Sequence, residues 1–477
     1  MTSPEEAFRA LDQGDLPTAD TRFRQLLARE PENGRAWWGL ARIATLTGER
    51  DRAIELYALC CKYFPTEPAP LIALGEALSL RNRFDEAGTA FNQAVLDTPR
   101  NAAAQYALGA HLTAAGDLPG AETHLLTALD LQPTHAHAWE ALTRIRTFQA
   151  GDASIQNIER LLAKSCGSVN DKIALQYALG KVYDDLDIPE KAFAMWSRAN
   201  ELQLSTCSFR VSDMRSFFAK LTETFSKTLL QTPHFSQEAS ITPIFIVGQA
   251  RSGSTLLEQL LTNHSQINSV GETGYLANEI ATEATRLTGK SFPGCCAQLT
   301  PDQSAALGEK YLSFLARYNR GGSHMVDKVP ANFQSAGMIK QILPHAHIVH
   351  LSRPPVDNCF SIFRHHFVSN EPFFCTLPEI VAYRDYYKAV MAHWHKVLPD
   401  FVTELSYLSL SQEPKTTMQS LLQALGLEWE PACEKLPIKP AHISTLSNTQ
   451  ARARIYRDSG AAANRYSEYL ELDFSEA

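Results

Sequence analysis

The run Pro243-Ile244-Phe245-Ile246-Val247-Gly248-Gln249-Ala250-Arg251-Ser252-Gly253-Ser254-Thr255-Leu256-Leu257 passes from apolar residues through a Gly-containing turn into a helical pattern. A strand, such a turn and a helix N-terminus together gather backbone N–H groups round an anion. The loop departs from the triphosphate pattern G-x-x-x-x-G-K-[ST], because Ser254 stands at the lysine position while Arg251 supplies a cation inside the turn. These residues predict a cradle for an anionic nucleotide other than a triphosphate. Farther along, Glu272 follows Val270-Gly271, Lys328 follows Val326-Asp327, Arg353 follows the run Ile348 to Ser352, and Tyr407 closes the run from Phe401. A phosphate loop, a second arginine, a lysine and an isolated carboxylate suit transfer of an anionic group; they do not suit redox chemistry.

The elements that must position these groups follow from pattern. From about Ile241, apolar runs bounded by turn residues alternate with helical stretches. Strands are predicted over Pro243–Val247, His324–Asp327, His347–Ser352 and Phe401–Tyr407, with a further short strand before Glu272. Helices are predicted near Thr255–Thr262, Gln334–Ile342, Pro355–Phe367, Leu377–Val397 and Lys415–Leu425. This alternation predicts parallel βαβ units, with ligands at the carboxyl ends of the strands.

The first half reads differently. Prolines at 31, 65, 99 and 133 recur every 34 residues, and Gly39-Leu40, Ala73-Leu74, Ala107-Leu108 and Ala141-Leu142 keep step with them. So do Ala53, Ala87 and Ala121, and Tyr57, Phe91 and Leu125. A fixed period of this size resembles the tetratricopeptide repeat, a helix hairpin that stacks on its neighbours. The frame lapses over Thr147–Asp171 and resumes at Ala178-Leu179, Ala192, Trp196 and Ala199. The division expected is a repeat solenoid over 1–204, a helical linker over 205–240 and an α/β domain over 241–477. A solenoid offers a surface and not a reactive group, so its predicted role is to bind a protein or peptide. Trp37, Trp38, Tyr106, His135, His137 and Trp139 are expected to pack in the solenoid core more than to line a groove.

Three ordered blocks carry a second resemblance. They are Pro243–Leu257 continued to His264 and to Gly271-Glu272-Thr273-Gly274-Tyr275-Leu276, then Val326-Asp327-Lys328-Val329-Pro330, then His350-Leu351-Ser352-Arg353-Pro354-Pro355 through Ser361. Together with the repeats, the chain resembles bacterial tetratricopeptide-repeat sulfotransferases related to the tyrosylprotein sulfotransferases. The resemblance implies a P-loop-like α/β sulfotransferase domain with a central parallel sheet, and 3′-phosphoadenosine 5′-phosphosulfate (PAPS) as donor. It implies that Arg251, Ser252, Gly253, Ser254, Thr255 and Leu256 hold the 5′-phosphosulfate and that Arg353 and Ser361 bind the 3′-phosphate. Glu272 is then the general base toward an acceptor hydroxyl, Lys328 and Arg251 stabilise developing charge, and Tyr407 and Arg457 are further donor contacts. Ala250, Ser254, Pro354, Leu408 and Ala462-Ala463 depart from the family pattern; the last pair stands where Arg-Trp is usual. Arg452, Arg454, Arg457 and Arg465 are the cations nearest that departure in sequence. The regions 278–299 and 367–377 are candidate walls of the acceptor cleft.

Composition bounds the alternatives. The 477 residues are 44% hydrophobic and 20% charged with a net charge of −8, which gives no general reason for nucleic-acid binding. The longest apolar runs fall far short of the roughly 20 residues a membrane span requires. Nine cysteines without a C-x-x-C motif fit reduced thiols in the cytoplasm. His345, His347 and His350, and the pair His365-His366, are expected to serve packing or surface roles, and no metal is expected. The expected function is sulfuryl transfer to a hydroxyl of a protein tyrosine, a glycan or another acceptor that the repeats recruit. The rivals are a P-loop kinase, disfavoured by Ser254, and a noncatalytic repeat protein with a decayed α/β half.

Overall fold

The computed structural model describes residues 3–164, 167–231, 240–369, 371–436 and 461–470. It divides into two compact units, one ending at Arg146 and the other beginning at Thr147.

The first unit is a series of helices: α1 (Pro4–Asp12), α2 (Leu16–Arg29), α3 (Gly34–Leu46), α4 (Arg50–Tyr63), α5 (Pro68–Ser79), α6 (Phe84–Asp97), α7 (Ala102–Ala115), α8 (Leu118–Leu131) and α9 (Ala136–Ile145). Each period-marking proline lies two residues beyond the end of α2, α4, α6 or α8, where the chain cannot continue the helix. Six residues after three of these prolines a side chain donates back to the proline carbonyl: Trp37 Nε1 to Pro31 at 2.9 Å, Gln105 Nε2 to Pro99 at 2.8 Å, and Trp139 Nε1 to Pro133 at 2.9 Å. Asp15, Asn33, Asn101, Asp117 and His135 cap the following helices with side-chain acceptors. The in-step residues Ala53, Ala87, Ala121, Tyr57, Phe91 and Leu125 are all buried. Trp139 is buried, and Trp37 and Trp38 pack against the core.

The second unit opens with α10 (Ala153–Ala163), α11 (Val169–Asp185), α12 (Pro189–Thr206), α13 (Arg215–Thr224) and α14 (Lys227–Gln231). The sheet region follows as β1 (Thr242–Gly248), α15 (Ser254–Leu261), β2 (Ile267–Gly271), α16 (Ala281–Thr288), α17 (Pro301–Ala316), β3 (His324–Asp327), α18 (Ala336–Ile342), β4 (His347–Ser352), α19 (Pro355–Phe363), α20 (Leu377–Val397), β5 (Val402–Ser406), α21 (Tyr407–Gln412) and α22 (Pro414–Ala424). The five strands among the described residues are all parallel, in the order β2-β3-β1-β4-β5. Alternation along β1 sends Ile244 and Ile246 into one core with α15, α21 and α22, and Phe245 and Val247 into another with α17, α18 and α20. Burial of each such aliphatic side chain stabilises the fold by about 1.5–3 kcal/mol.

Strand order also fixes where a ligand can sit. From β1 the chain leaves toward β2, and from β4 it leaves toward β5 on the opposite side. The adjacent carboxyl ends of β1 and β4 therefore open a crevice at the switch point.

The hairpin α11–α12, where the repeat frame resumes, packs inside this second unit. Asn200 Nδ2 donates to the Phe363 carbonyl at 2.8 Å, and Gln203 Nε2 to that of Phe367 at 2.6 Å. Trp196 meets Phe360 edge-on with ring centres 6.0 Å apart, and Tyr177 stacks on His366. The sequence boundary at 204 follows the repeat pattern, whereas the packing boundary separates this hairpin from the earlier repeats. Trp196, 1% exposed, fills the space over Gly180, whose absent Cβ would lie 2.2 Å from the indole nitrogen. Trp196→Ala is expected to cost about 3–5 kcal/mol, read as a lower thermal midpoint of the full chain. An unchanged midpoint would show that the hairpin is not integral to the unit.

Candidate active site

The loop between β1 and α15 has the backbone that its residues predict. Gly253 lies at φ 101° and caps α15, and Arg251 lies at φ 63°, a left-handed conformation uncommon for a residue with a Cβ. The missing Cβ of Gly253 would fall 2.3 Å from the Tyr407 ring, so this glycine is required by both torsion and space. Gly253→Ala is expected to destabilise the chain by about 1–3 kcal/mol and to weaken anion binding, measured by thermal melting and calorimetry side by side. Leu256, Leu257, Leu260 and Leu261 form the apolar stripe that fixes α15 to the sheet. Leu256 donates its N–H to the Gly253 carbonyl at 3.0 Å and turns its side chain into this core, so its place is structural.

Three cationic or polar groups converge on the loop. The Arg251 guanidinium is buried, with Nε 3.3 Å from Ser361 Oγ and Nη2 3.3 Å from His365 Nε2. Arg353 Nη1 donates to the Arg251 carbonyl at 3.1 Å, and its guanidinium lies 5.0 Å above the centre of the Tyr407 ring. Asn358 Nδ2 donates to the Ala250 carbonyl at 2.9 Å. Burial lowers the pKa of Arg353 from the usual arginine value, against the opposing influence of Tyr407 and Asp357. Arg353 Nε and Ser252 Oγ are buried without hydrogen-bond partners. Two unsatisfied polar atoms beside a helix N-terminus fit an anionic ligand that would complete them.

Helix α19 supplies part of this cluster because of how it starts and stops. Pro354 and Pro355 begin it directly after Arg353, with Pro355 at the first helical position. It ends at Phe363, four residues short of the expected Phe367. His365 Nδ1 takes the Ser361 carbonyl at 2.6 Å, while its N–H tightens onto Ile362 at 3.1 Å. The Nδ1–H donor leaves Nε2 as the acceptor for Arg251, the tautomer of a neutral imidazole. His365 thus stands in the arginine cluster and not in the packing or surface role expected from sequence. Its position four residues after Ser361, one helical turn, is the signal that could have found it.

Glu272 and Lys328 follow the neighbouring strands β2 and β3, with Gly271 paired to Asp327 and the Lys328 N–H bonded to the Gly271 carbonyl at 3.0 Å. This register places the two side chains together as an ion pair. Lys328, 1% exposed, also meets Glu258 of α15 at 3.6 Å, and Ser269 holds Glu258 at 2.6 Å. Burial opposes the lysine's charge, but the two carboxylates outweigh it and raise its pKa above the usual value. Below it, burial pushes the Asp327 carboxyl up to about 7 despite bonds from Tyr311 at 2.6 Å and Asn332 at 3.1 Å. Glu258 was not among the expected site residues; it lies on α15, the helix that begins at the loop after β1, and so ties the ion pair to that loop.

The remaining expected contacts distribute differently. Ser254 and Thr255 are buried in the first turn of α15. Tyr407 begins α21 and packs between Gly253 and Arg353. Arg457, Arg452 and Arg454 lie outside the described residues. Arg465 pairs with Asp184 and Asp187 at and just beyond the end of α11. Ala463 is buried in the core formed by Trp196, Phe360 and Tyr466.

Both halves of the chain match models of known families. Residues 243–431 match the model of the sulfotransferase family, and residues 5–68 and 72–136 match a tetratricopeptide repeat model. An uncharacterized protein of Aquifex aeolicus (strain VF5) is 27% identical over 411 residues, covering 84% of this chain and 54% of that protein. The chain therefore spans about half the length of this relative. Among solved structures, PilW, described as a type IV pilus biogenesis factor, is 20% identical with a TM-score of 0.33 over 41% of this chain and 90% of its own. YrrB, described as a TPR protein with an unusual peptide-binding site, is 18% identical with a TM-score of 0.29 over 38% of this chain and 92% of its own. With the loop after β1, Glu272, Lys328 and Arg353 all inside the matched span, residues 243–431 belong to the sulfotransferase family, and tetratricopeptide repeats precede them.

Proposed function

We propose that this chain transfers the sulfuryl group of PAPS to an acceptor hydroxyl. The observation that carries the proposal is the convergence of Arg251, Ser361 and Arg353 on the loop after β1, with Ser252 Oγ and Arg353 Nε unpartnered. Arg251, Ser252, Gly253, Ser254 and Thr255 hold the 5′-phosphosulfate through side chains and the N-terminal N–H groups of α15. Arg353 holds the 3′-phosphate in forked contacts, with Ser361 beside Arg251 as the second donor. Tyr407 keeps the Arg353 guanidinium in place by its ring face.

In the reaction Glu272 takes the proton of the acceptor hydroxyl as the new O–S bond forms. The bond from sulfur to the bridging phosphate oxygen breaks, and 3′-phosphoadenosine 5′-phosphate leaves with the added negative charge. Lys328 pairs with Glu272 before the step and offers its cation to the departing oxygen during it. Arg251 neutralises charge on the transferring group. The acceptor is a hydroxyl of a protein tyrosine or a glycan, and the repeats recruit it or a partner protein. No helix among the described residues is long and apolar enough to cross a membrane, and the described cysteines are free, in keeping with a cytoplasmic site of action.

Incubation of the purified full chain with ³⁵S-labelled PAPS and a cell extract tests the proposal. Label is expected in a macromolecular acceptor and absent with Glu272→Gln. Failure to label any acceptor or to bind 3′-phosphoadenosine 5′-phosphate would favour a noncatalytic repeat protein.

A further inference from the structure

A second cluster lies behind the phosphate loop. His350 of β4 and Glu404 of β5 are paired across the sheet, on the face that α20 covers. Along α20, Tyr387, Met391 and His395 succeed each other at four-residue steps, so one stripe of the helix lies over this pair. His350 Nδ1 meets the Glu404 carboxylate, and His395 Nε2 reaches the same carboxylate oxygen at 2.5 Å. The three donor atoms lie within 4.8 Å of one another.

We infer that His350, His395 and Glu404 form a binding site for a divalent transition metal of the zinc type. Two imidazole nitrogens and one carboxylate are a ligand set suited to Zn²⁺, with a position left open for water. Ligand atoms placed about 2.0–2.1 Å from a tetrahedral zinc lie roughly 3.3 Å apart, a separation the cluster's spread accommodates with small side-chain movements. The opposite nitrogen of His350, Nε2, meets the Tyr387 hydroxyl. A metal-bound histidine characteristically gives its other ring N–H to such an acceptor, which fixes ring and tautomer. An entry path is present because β5 is an edge strand and the side chains of Glu404 and His395 are 48% and 37% exposed.

The ligands sit 45 and 54 residues from His350 in the chain, which is why the sequence pattern around His345, His347 and His350 does not reveal them.

The test uses the full chain, stripped with chelator and titrated with ZnCl₂ by calorimetry, with metal content checked by mass spectrometry. One zinc per chain is expected, with a rise in melting temperature. His395→Ala and Glu404→Gln are each expected to abolish stoichiometric binding and the melting shift while the metal-free variants melt as a single folded species. Tyr387→Phe keeps the ligands and is expected to weaken zinc binding about 10-fold. Absence of stoichiometric zinc in the wild type would overturn the inference and leave a plain hydrogen-bonded His–Glu–His tie. Binding that survives both ligand variants would place the metal elsewhere and overturn it equally.

Discussion

Glu272→Gln is expected to lower sulfuryl transfer by about 10²–10⁴-fold, the range that a positioned general base contributes, while affinity for 3′-phosphoadenosine 5′-phosphate stays within a few-fold. Glutamine keeps the shape of the side chain and an oxygen for Lys328, and Lys328 retains Glu258 as its charged partner. The buried lysine is therefore not orphaned, and melting should fall little. A loss of activity from unfolding would instead appear in the melting curve and in the nucleotide titration. Single-turnover labelling with ³⁵S donor reads the chemical step directly. Turnover retained in this variant, in a chain that still binds nucleotide, would remove Glu272 from the base role. Lys328→Met is a useful contrast, because it leaves two carboxylates facing each other beside a buried site. Removal of one partner from such a group costs about 3–5 kcal/mol, so that variant should lose both stability and rate.

Arg353→Ala carries the second large expectation. Truncating one member of a buried, hydrogen-bonded charge pair costs about 2–5 kcal/mol of binding free energy, which corresponds to a loss of donor affinity between roughly 30-fold and several thousand-fold. The affected phosphate can be identified. The wild type should prefer adenosine 3′,5′-bisphosphate strongly over adenosine 5′-monophosphate, and the variant should bind the two alike. If the preference persisted, Arg353 would not be the 3′-phosphate ligand. Arg353→Lys keeps the charge but not the planar fork or the stacking over Tyr407, and should fall between the two. Part of the loss in Arg353→Ala arises through the loop itself, because the Arg353 bond to the Arg251 carbonyl helps hold that residue at its left-handed torsion. Comparing inorganic phosphate with the bisphosphate separates this indirect effect from the direct contact.

Much of the fold was legible in the chain because its signals are local. The 34-residue proline period marks turns that helices cannot cross, and the expected β3 and β4 match the observed strands at both ends. Leu377–Val397 was likewise expected and found, since Pro378 near its start and the turn after Val397 bound it clearly. Helix α19 was read too long, because its apolar pattern continues to Phe367. What stops it is the ring of His365 taking the Ser361 carbonyl while turning toward Arg251, a contact between groups 114 residues apart. The extent of the last repeat hairpin was readable from Ala192, Trp196 and Ala199, but not the core it joins, since its helical period is satisfied by any apolar neighbour.

The sequence by itself determined the kinds of group available: a glycine able to take φ 101°, a serine at the P-loop lysine position with an arginine inside the turn, and a carboxylate and a lysine just beyond two apolar runs. It determined too that these belong to parallel strands followed by helices. Only the tertiary structure decided which of them meet. The order β2-β3-β1-β4-β5 brings Glu272 beside Lys328 and sets Arg353 against the loop of Arg251, and the same order pairs His350 with Glu404. Period and residue type are properties of neighbours along the chain, whereas strand order is chosen by how two hydrophobic faces are covered at once, and that depends on all the elements together.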